Sequence, residues 1–195
     1  GMPNHIFDRD TVSGGKIIVR DMGRDGSFTT LDEMERKMIA GDTMVCDAEG
    51  PSSIGGIMGG LSSSVKDSTS RVFIEVANWK PERIRHTSTR LGLRTDASQR
   101  YEKSLDSHQL ERTVLRILEL LQESCPDAEV IGSLVSDKVE LSPPLVIALS
   151  LNRVNSILGT KLNQEEVISI LETLEYEVKV DGNIMKVTVP SYRAT

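Results

Sequence analysis

A proline pair late in the chain divides the sequence into two parts. Ser142-Pro143-Pro144 cannot continue a helix or a central strand, because proline lacks a backbone N–H and restricts the residue before it. The chain has 195 residues, enough for one domain of ordinary size and a smaller one. The break therefore predicts two domains, residues 1–141 and residues 145–195.

The first part predicts mixed α and β structure. Runs rich in β-branched residues predict strands at 16–20, 43–47 and 71–77. In the last of these, apolar residues surround a single carboxylate, Glu75. Burying a carboxylate without a partner is costly. We therefore expect Glu75 either to find a partner or to face a cavity.

Three helices are predicted in the second half of this part. One spans residues 81–91 and is closed by Gly92. Asp96 and Gln99 form an Asp-x-x-Gln variant of the capping box, which predicts a second helix beginning at Asp96. The third spans residues 108–123 and has an apolar stripe that we expect to face the core. The stripe consists of Leu110, Val114, Ile117, Leu118 and Leu121.

The second part predicts a small α+β unit. Its elements are a strand at 145–149, helices at 152–158 and 164–174, and hairpin strands at 176–180 and 184–189. Asn163 and Glu166 form a capping-box-like start for the second helix. Asp181-Gly182 favours a tight turn between the last two strands. The fold class predicted for the whole chain is α+β, a mixed-sheet domain with flanking helices followed by a winged-helix-like unit.

Charge is distributed unevenly along an acidic chain. The net charge is −6, yet the stretch from Lys80 to Lys103 holds seven basic and three acidic residues. A local basic face on an acidic body can bind a polyanion such as RNA. The alternative is a solvated helix face.

Several features favour a cytoplasmic protein. Cys46 and Cys125 fall in no CxxC pattern, which favours reduced thiols and no structural zinc. No apolar run approaches the roughly 18 residues that a membrane helix needs. Met2 is followed by polar residues, so we expect no signal peptide.

Three segments contain candidate site residues, and each is weak by itself. They are His5-Ile6-Phe7-Asp8, the glycine-rich segment from Gly55 to Gly60, and the segment from Leu91 to Ser98. A single histidine is more often a surface or capping residue. The glycine segment lacks the Lys-Ser/Thr of a P-loop and the GxGxxG spacing. Its glycines indicate tight turns or close approach by another group. The residues alone predict a globular domain with a possible pocket.

Together and in this order, the segments resemble a specific family. HIFD, GGIMGG and FIEVANWKPERIRHTSTRLGLRTDASQRYEKSLD resemble the B3/B4-type editing region of bacterial phenylalanine–tRNA ligase β subunits. RVNSILGT, LETLEYEV and VTVPSYR resemble the start of the B5-type module that follows in those subunits. The resemblance covers essentially the whole chain. In the family, more of the domain precedes the HIFD motif, so we expect a piece of a longer subunit.

The resemblance implies an enzyme that charges tRNA(Phe) with phenylalanine in the cytoplasm, using ATP and Mg²⁺. Its partners would be an α subunit, in an α2β2 tetramer, and tRNA(Phe). In the family the α subunit chiefly handles ATP, and the carboxylates associated with metal lie beyond the position of Arg193, so no cofactor and no metal ligand are expected within this sequence. The β subunit would hydrolyse tyrosine wrongly attached to tRNA(Phe). A pocket shaped for phenylalanine rejects an added hydroxyl by only about 10²-fold, which explains the need for a second site.

The resemblance also implies roles for five residues. Glu75 would receive the tyrosine hydroxyl, and Gly59 would lie beside the substrate. Thr95 and Ala97 would form pocket walls. His5 would lie near the scissile ester and is the candidate general base. Each of these residues could instead serve only in packing or capping.

Departures from the family pattern leave a second hypothesis open. Ile6 stands where alanine is common, Lys103-Ser104 replaces a frequent Arg-Gly, and Ser107 stands where proline often occurs. A non-catalytic domain that supports tetramer assembly and tRNA docking would have much the same sequence. Glu75 favours the hydrolytic interpretation, because a purely structural strand has little use for a carboxylate there.

Overall fold

A computed structural model describes residues 1–137, 141 and 143–193. Two compact units make up the chain, Gly1–Gly132 and Ser133–Thr195. Ser142 of the predicted proline break lies outside the described residues. No helix in the part that the structure describes is long and apolar enough to cross a membrane.

The first unit contains short strands followed by helices, which confirms the predicted α+β class. The strands are β1 (His5–Asp8), β2 (Ile18–Asp21), β3 (Gly26–Thr29), β4 (Glu35–Met38), β5 (Thr43–Cys46), β6 (Pro51–Ile54), β7 (Met58–Gly59) and β8 (Val72–Glu75). The helices are α1 (Pro81–Leu91), α2 (Asp96–Tyr101) and α3 (Leu110–Ser124). The predicted strands correspond to β2, β5 and β8. The other strands were not predicted, because their residues form no run of β-branched residues like those in β2, β5 and β8.

The strands form three small sheets, β2-β5-β6-β7, β1-β8 and β3-β4. All the strand pairings among the described residues are antiparallel, so the predicted mixed sheet takes the form of several antiparallel ones. For three of these pairings the reason lies in the connections. Short loops join β3 to β4, β5 to β6 and β6 to β7, and parallel strands need a crossover of a dozen residues or more.

Two apolar clusters hold this unit together. The larger one includes Met38, Met44, Ile54 and Ile84, each at most 2% exposed. The smaller one consists of Phe7, Val12 and Val45. Trp79 packs against both clusters and so joins them.

The ends of α1 are as predicted, whereas the cap of α2 differs. Gly92 closes α1 in the left-handed region, with φ of 59°. The capping box of α2 is formed by Thr95 and Ser98, so the predicted Asp96–Gln99 box was wrong by one residue. Thr95 has the extended backbone that an N-cap needs, and Asp96 occupies the first turn, where its charge complements the helix dipole.

The predicted stripe of α3 is only partly covered. A 3₁₀ turn at Ser107–Gln109 precedes the helix, which therefore begins two residues later than predicted. The five stripe residues are half-buried, and no residue of α3 is fully buried among the described residues. The predicted stripe is the less exposed side of α3, but its residues are not buried as a core position would require.

The second unit follows the sequence prediction element by element. Its elements are β9 (Val146–Ser150), α4 (Leu151–Leu158), α5 (Gln164–Thr173), β10 (Glu177–Asp181) and β11 (Ile184–Thr188). The strands form one antiparallel sheet in the order β10-β11-β9, over a core of Val167, Met185 and Val187. The predicted capping box of Asn163 and Glu166 is present. Gly182 has a φ of 59° in the two-residue hairpin loop.

Candidate functional site

Pairing of β1 with β8 places His5 directly opposite Glu75. The two residues are seventy positions apart in sequence, and their side chains lie on the same face of the ladder. Phe7 and Phe73 form the next pair on that face, and Phe7 is fully buried. The His5 ring packs edge-on against Phe7, with 4.3 Å between ring centroids. Packed aromatic side chains thus lie next to His5 and Glu75 on this face of the ladder.

Glu75 carries a buried carboxylate oxygen that lacks a partner. The residue as a whole is partly exposed, but its Oε2 atom is fully buried. That atom has no hydrogen-bond partner within the described part of the chain. Burial raises the pKa of Glu75 from 4.5 to about 7. The carboxyl group is therefore balanced between its charged and neutral forms near neutral pH.

The His5 ring lies directly on the backbone of Gly59. A Cβ atom at position 59 would be 2.1 Å from His5 Cε1 and 2.6 Å from Nε2, which no real Cβ atom tolerates. His5 Nε2 is buried and finds no hydrogen-bond partner among residues the structure describes. Burial lowers the pKa of His5 below 6.5. The imidazole is therefore neutral at pH 7 and can accept a proton.

The other end of the HIFD motif has a structural task. Asp8 ends β1 and accepts hydrogen bonds from the Asp10 N–H at 3.0 Å and the Thr69 hydroxyl at 2.7 Å. The bond from Thr69 is the main reason that the pKa of Asp8 is lowered. Asp8 thereby fixes the end of the strand that carries His5.

Aromatic rings explain the glycine-rich segment. A Cβ at Gly55 or Gly56 would lie within 2.8 Å of the Trp79 ring, and one at Gly60 would lie 2.5 Å from Phe28 Cζ. With His5 over Gly59, these four glycines make room for three rings. The expected close approach is confirmed, and the approaching groups are side chains of the same unit.

Thr95 and Ala97, the two predicted pocket-wall residues, lie at different places relative to the cavity. The Thr95 hydroxyl donates to the Ile57 carbonyl oxygen at 2.8 Å and accepts from the Ser98 N–H at 3.1 Å. Thr95 therefore ties α2 to the glycine-rich segment. Ala97, one residue into the helix, lines the cavity beside His5 and Glu75.

The cavity joins most of the predicted site residues. Its lining includes His5, Gly59, Glu75, Trp79, Ala97 and Tyr101 but not Thr95. Its volume is about 80 Å³. A cavity of about 150 Å³ is known to admit benzene, so this one is too small for an aromatic side chain as it stands. The His5 ring, which lies on Gly59, forms part of the cavity wall.

Among the cavity residues that sequence reasoning missed are two aromatic ones, Trp79 and Tyr101. Tyr101 is 3% exposed, and its ring meets Trp79 edge-on with 6.4 Å between centroids. Burial raises the pKa of Tyr101, and the nearby Glu75 carboxylate raises it further. The available signal was the four-residue spacing of Ala97 and Tyr101, which places both on one face of α2.

A larger groove along α1 contains none of the predicted site residues. It measures about 820 Å³ and is open to solvent, with Arg85, His86, Glu82 and Glu102 among its walls. Several basic side chains of the Lys80–Lys103 stretch are bound to carboxylates. Arg83 pairs with Asp21, Arg90 with Asp42 and Arg94 with Glu102. The local positive charge is thus partly neutralised.

Comparison with known protein families identifies the class to which this protein belongs. Residues 1–126 match the B3/4 domain, and residues 147–194 match the tRNA synthetase B5 domain. The first match covers more than half of the chain, which therefore belongs to the B3/4 domain family.

The similar proteins are more specific. Phenylalanine–tRNA ligase β subunits of Carboxydothermus hydrogenoformans and Porphyromonas gingivalis are 37% and 36% identical over 99% of this chain. The chain spans about a quarter of their length, 24% of each. An N-terminal fragment of the β subunit from Pyrococcus horikoshii is 17% identical, with a TM-score of 0.45, over 97% of this chain and 54% of that one. The resemblance to these β subunits is confirmed, and the chain corresponds to part of one.

Proposed function

We propose that the first unit hydrolyses tyrosine from mischarged tRNA(Phe), as the editing region of a phenylalanine–tRNA ligase β subunit. The observation that carries the proposal is the Glu75 carboxylate, whose Oε2 is buried without a partner beside a cavity. Buried polar atoms are nearly always satisfied in folded proteins. An unsatisfied one at a cavity supports a role in binding a ligand that brings a donor.

The phenolic hydroxyl of tyrosine is a donor of this kind. A tyrosine side chain would satisfy Glu75, whereas phenylalanine would leave the carboxylate buried and unpaired. A site built to hydrogen-bond a hydroxyl rejects the analogue that lacks it by about 10⁴–10⁵-fold. Glu75 would thus supply the selectivity that protects correctly charged Phe-tRNA(Phe).

His5 would act on the ester. Its neutral imidazole can accept a proton from the attacking water, and its Nε2 atom has no competing partner among the described residues. Because the cavity holds only about 80 Å³, the ring would leave Gly59 when the aromatic side chain enters. Gly59 and Ala97 would then border the substrate ring, and Thr95 would hold the glycine-rich segment in place.

We propose that the complete enzyme charges tRNA(Phe) with ATP and Mg²⁺ as an α2β2 tetramer in the cytoplasm. Within the described residues, no group of three or more His, Cys, Asp or Glu side chains could hold a metal ion. The hydrolytic step proposed here uses only a positioned water and residues of the first unit.

The test is deacylation of preformed Tyr-tRNA(Phe) by the complete enzyme, with and without Glu75→Ala. We expect the variant to hydrolyse Tyr-tRNA(Phe) at least about 10²-fold more slowly, while charging with phenylalanine continues. Glu35→Ala, which removes an exposed carboxylate from β4, is the matched control and should retain the wild-type rate. If the wild-type enzyme leaves Tyr-tRNA(Phe) intact, the unit is instead a scaffold or tRNA-docking domain, which the small cavity favours.

A further inference from the structure

The Tyr101 hydroxyl lies where β1 and β8 stop pairing. The hydroxyl shares its single proton between two carbonyl oxygens, that of Pro3 at 2.7 Å and that of Ala77 at 3.0 Å. Pro3 precedes His5 by two residues, and Ala77 follows Glu75 by two. Because His5 pairs with Glu75 at the last register of the ladder, the hydroxyl binds the backbone just beyond both site residues.

The ring of Tyr101 connects these strand ends to the other walls of the cavity. It meets Trp79 edge-on, and Trp79 in turn packs on Gly55 and Gly56 of the glycine-rich segment. Ala97 lies one helical turn before Tyr101 on α2. One buried side chain thus contacts, directly or through Trp79, the helix, the two strand ends and the glycine-rich segment.

We propose that Tyr101 is a positioning residue for ester hydrolysis, whose hydroxyl holds the Pro3 and Ala77 carbonyls and thereby fixes His5 and Glu75 relative to each other. The proposal rests on the editing function proposed above. Its physical basis is that the ladder ends at His5 and Glu75. Beyond that point, no strand pairing among the described residues restrains the two segments that precede His5 and follow Glu75. A displacement of about 1 Å at a catalytic group can cost about 10²-fold in rate.

The experiment is Tyr101→Phe in the full-length subunit that contains this chain, assembled with its α subunit. The substitution removes one oxygen atom and leaves the ring packing unchanged. We expect kcat for Tyr-tRNA(Phe) hydrolysis to fall about tenfold, with KM within about twofold of wild type. Thr87→Val is the matched control. It removes another buried hydroxyl of the same unit, one that donates to Asp42 at 2.9 Å, and should leave kcat unchanged.

A double-mutant cycle separates positioning from a general loss of structure. If Tyr101 acts through Glu75, the combined loss in Tyr101→Phe/Glu75→Ala is clearly smaller than the product of the two single losses. If the losses multiply, or if Tyr101→Phe keeps the wild-type kcat, the proposal is overturned. Should Tyr101→Phe fail to fold, 3-fluorotyrosine at position 101 keeps the ring and changes only the donor strength. An unchanged kcat would then overturn the proposal.

The wild-type rate tests the editing function separately. A wild-type enzyme that does not hydrolyse Tyr-tRNA(Phe) refutes that function and this proposal with it. An active wild-type enzyme with an equally active Tyr101→Phe variant refutes only the role of Tyr101.

Discussion

The two units of this chain satisfy their polar groups to different degrees. In the first unit, His5 Nε2, Glu75 Oε2 and Arg90 Nε are buried without hydrogen-bond partners among the described residues. No such atom occurs in the described part of the second unit. In a sequence selected only for folding, local propensities, packing and hydrogen bonding all agree with the fold. Departures from this agreement, such as buried polar atoms without partners, concentrate at functional sites. The contrast is what we expect if the proposed site at His5 and Glu75 binds a ligand and the described part of the second unit serves only in folding.

The largest expected effect concerns stability and pH. The pKa of Glu75 rises from 4.5 to about 7 on folding, so between these values the folded chain binds more protons than the unfolded chain. Rising pH therefore lowers the free energy of unfolding, with no cost below about pH 4.5 and the full cost above about pH 7. Relative to wild type, Glu75→Gln should gain about 3 kcal/mol between these limits.

The free energy of unfolding of the first unit can be followed within the whole chain. Trp79 is the single tryptophan of the chain, so its fluorescence during urea unfolding reports on that unit. A difference between Glu75→Gln and wild type that stays constant with pH would contradict the assigned burial of Glu75.

A second comparison uses glycines that serve different purposes. At Gly59 a methyl group would collide with the His5 ring and would project into the space proposed for the substrate ring, so Gly59→Ala should slow Tyr-tRNA(Phe) hydrolysis about 10²-fold. Gly159 of the second unit has open space around its Cβ position and a φ of 67°. Gly159→Ala should therefore cost about 1–2 kcal/mol of stability and leave hydrolysis unchanged.

Gly23→Ala is the neutral control, because its Cβ would meet nothing within 4 Å and its backbone is not left-handed. Full hydrolytic activity in Gly59→Ala would show that Gly59 does not border the substrate ring.

The smallest expected effect compares the two capping boxes. Thr95→Ala and Asn163→Ala each remove a helix cap, which costs about 1 kcal/mol. Thr95 also donates to the Ile57 carbonyl, so its loss should in addition slow hydrolysis severalfold. Asn163→Ala should not affect hydrolysis. Equal rates in the two variants would show that the bond from Thr95 to the glycine-rich segment does not shape the site.

Local patterns predicted the second unit well because each of its elements carries its own local signal. Each helix carries its own cap and stripe, and the β10–β11 hairpin closes through two residues. In the first unit, the capped helices were predicted, but β1, β3, β4, β6 and β7 were not. Strands as short as Met58–Gly59 exist only because neighbouring strands pair with them. The capping box of α2 was placed one residue late because Thr95 and Asp96 are both acceptable caps.

The sequence by itself determined the family, the α+β class, the helices and the unusual carboxylate at Glu75. Only the tertiary structure placed His5 opposite Glu75, laid the His5 ring on Gly59 and brought Tyr101 to the ends of both strands. The physical reason is the distance along the chain. Caps and stripes depend on residues three or four positions apart, whereas the site depends on a pairing across seventy positions that leaves no local periodicity.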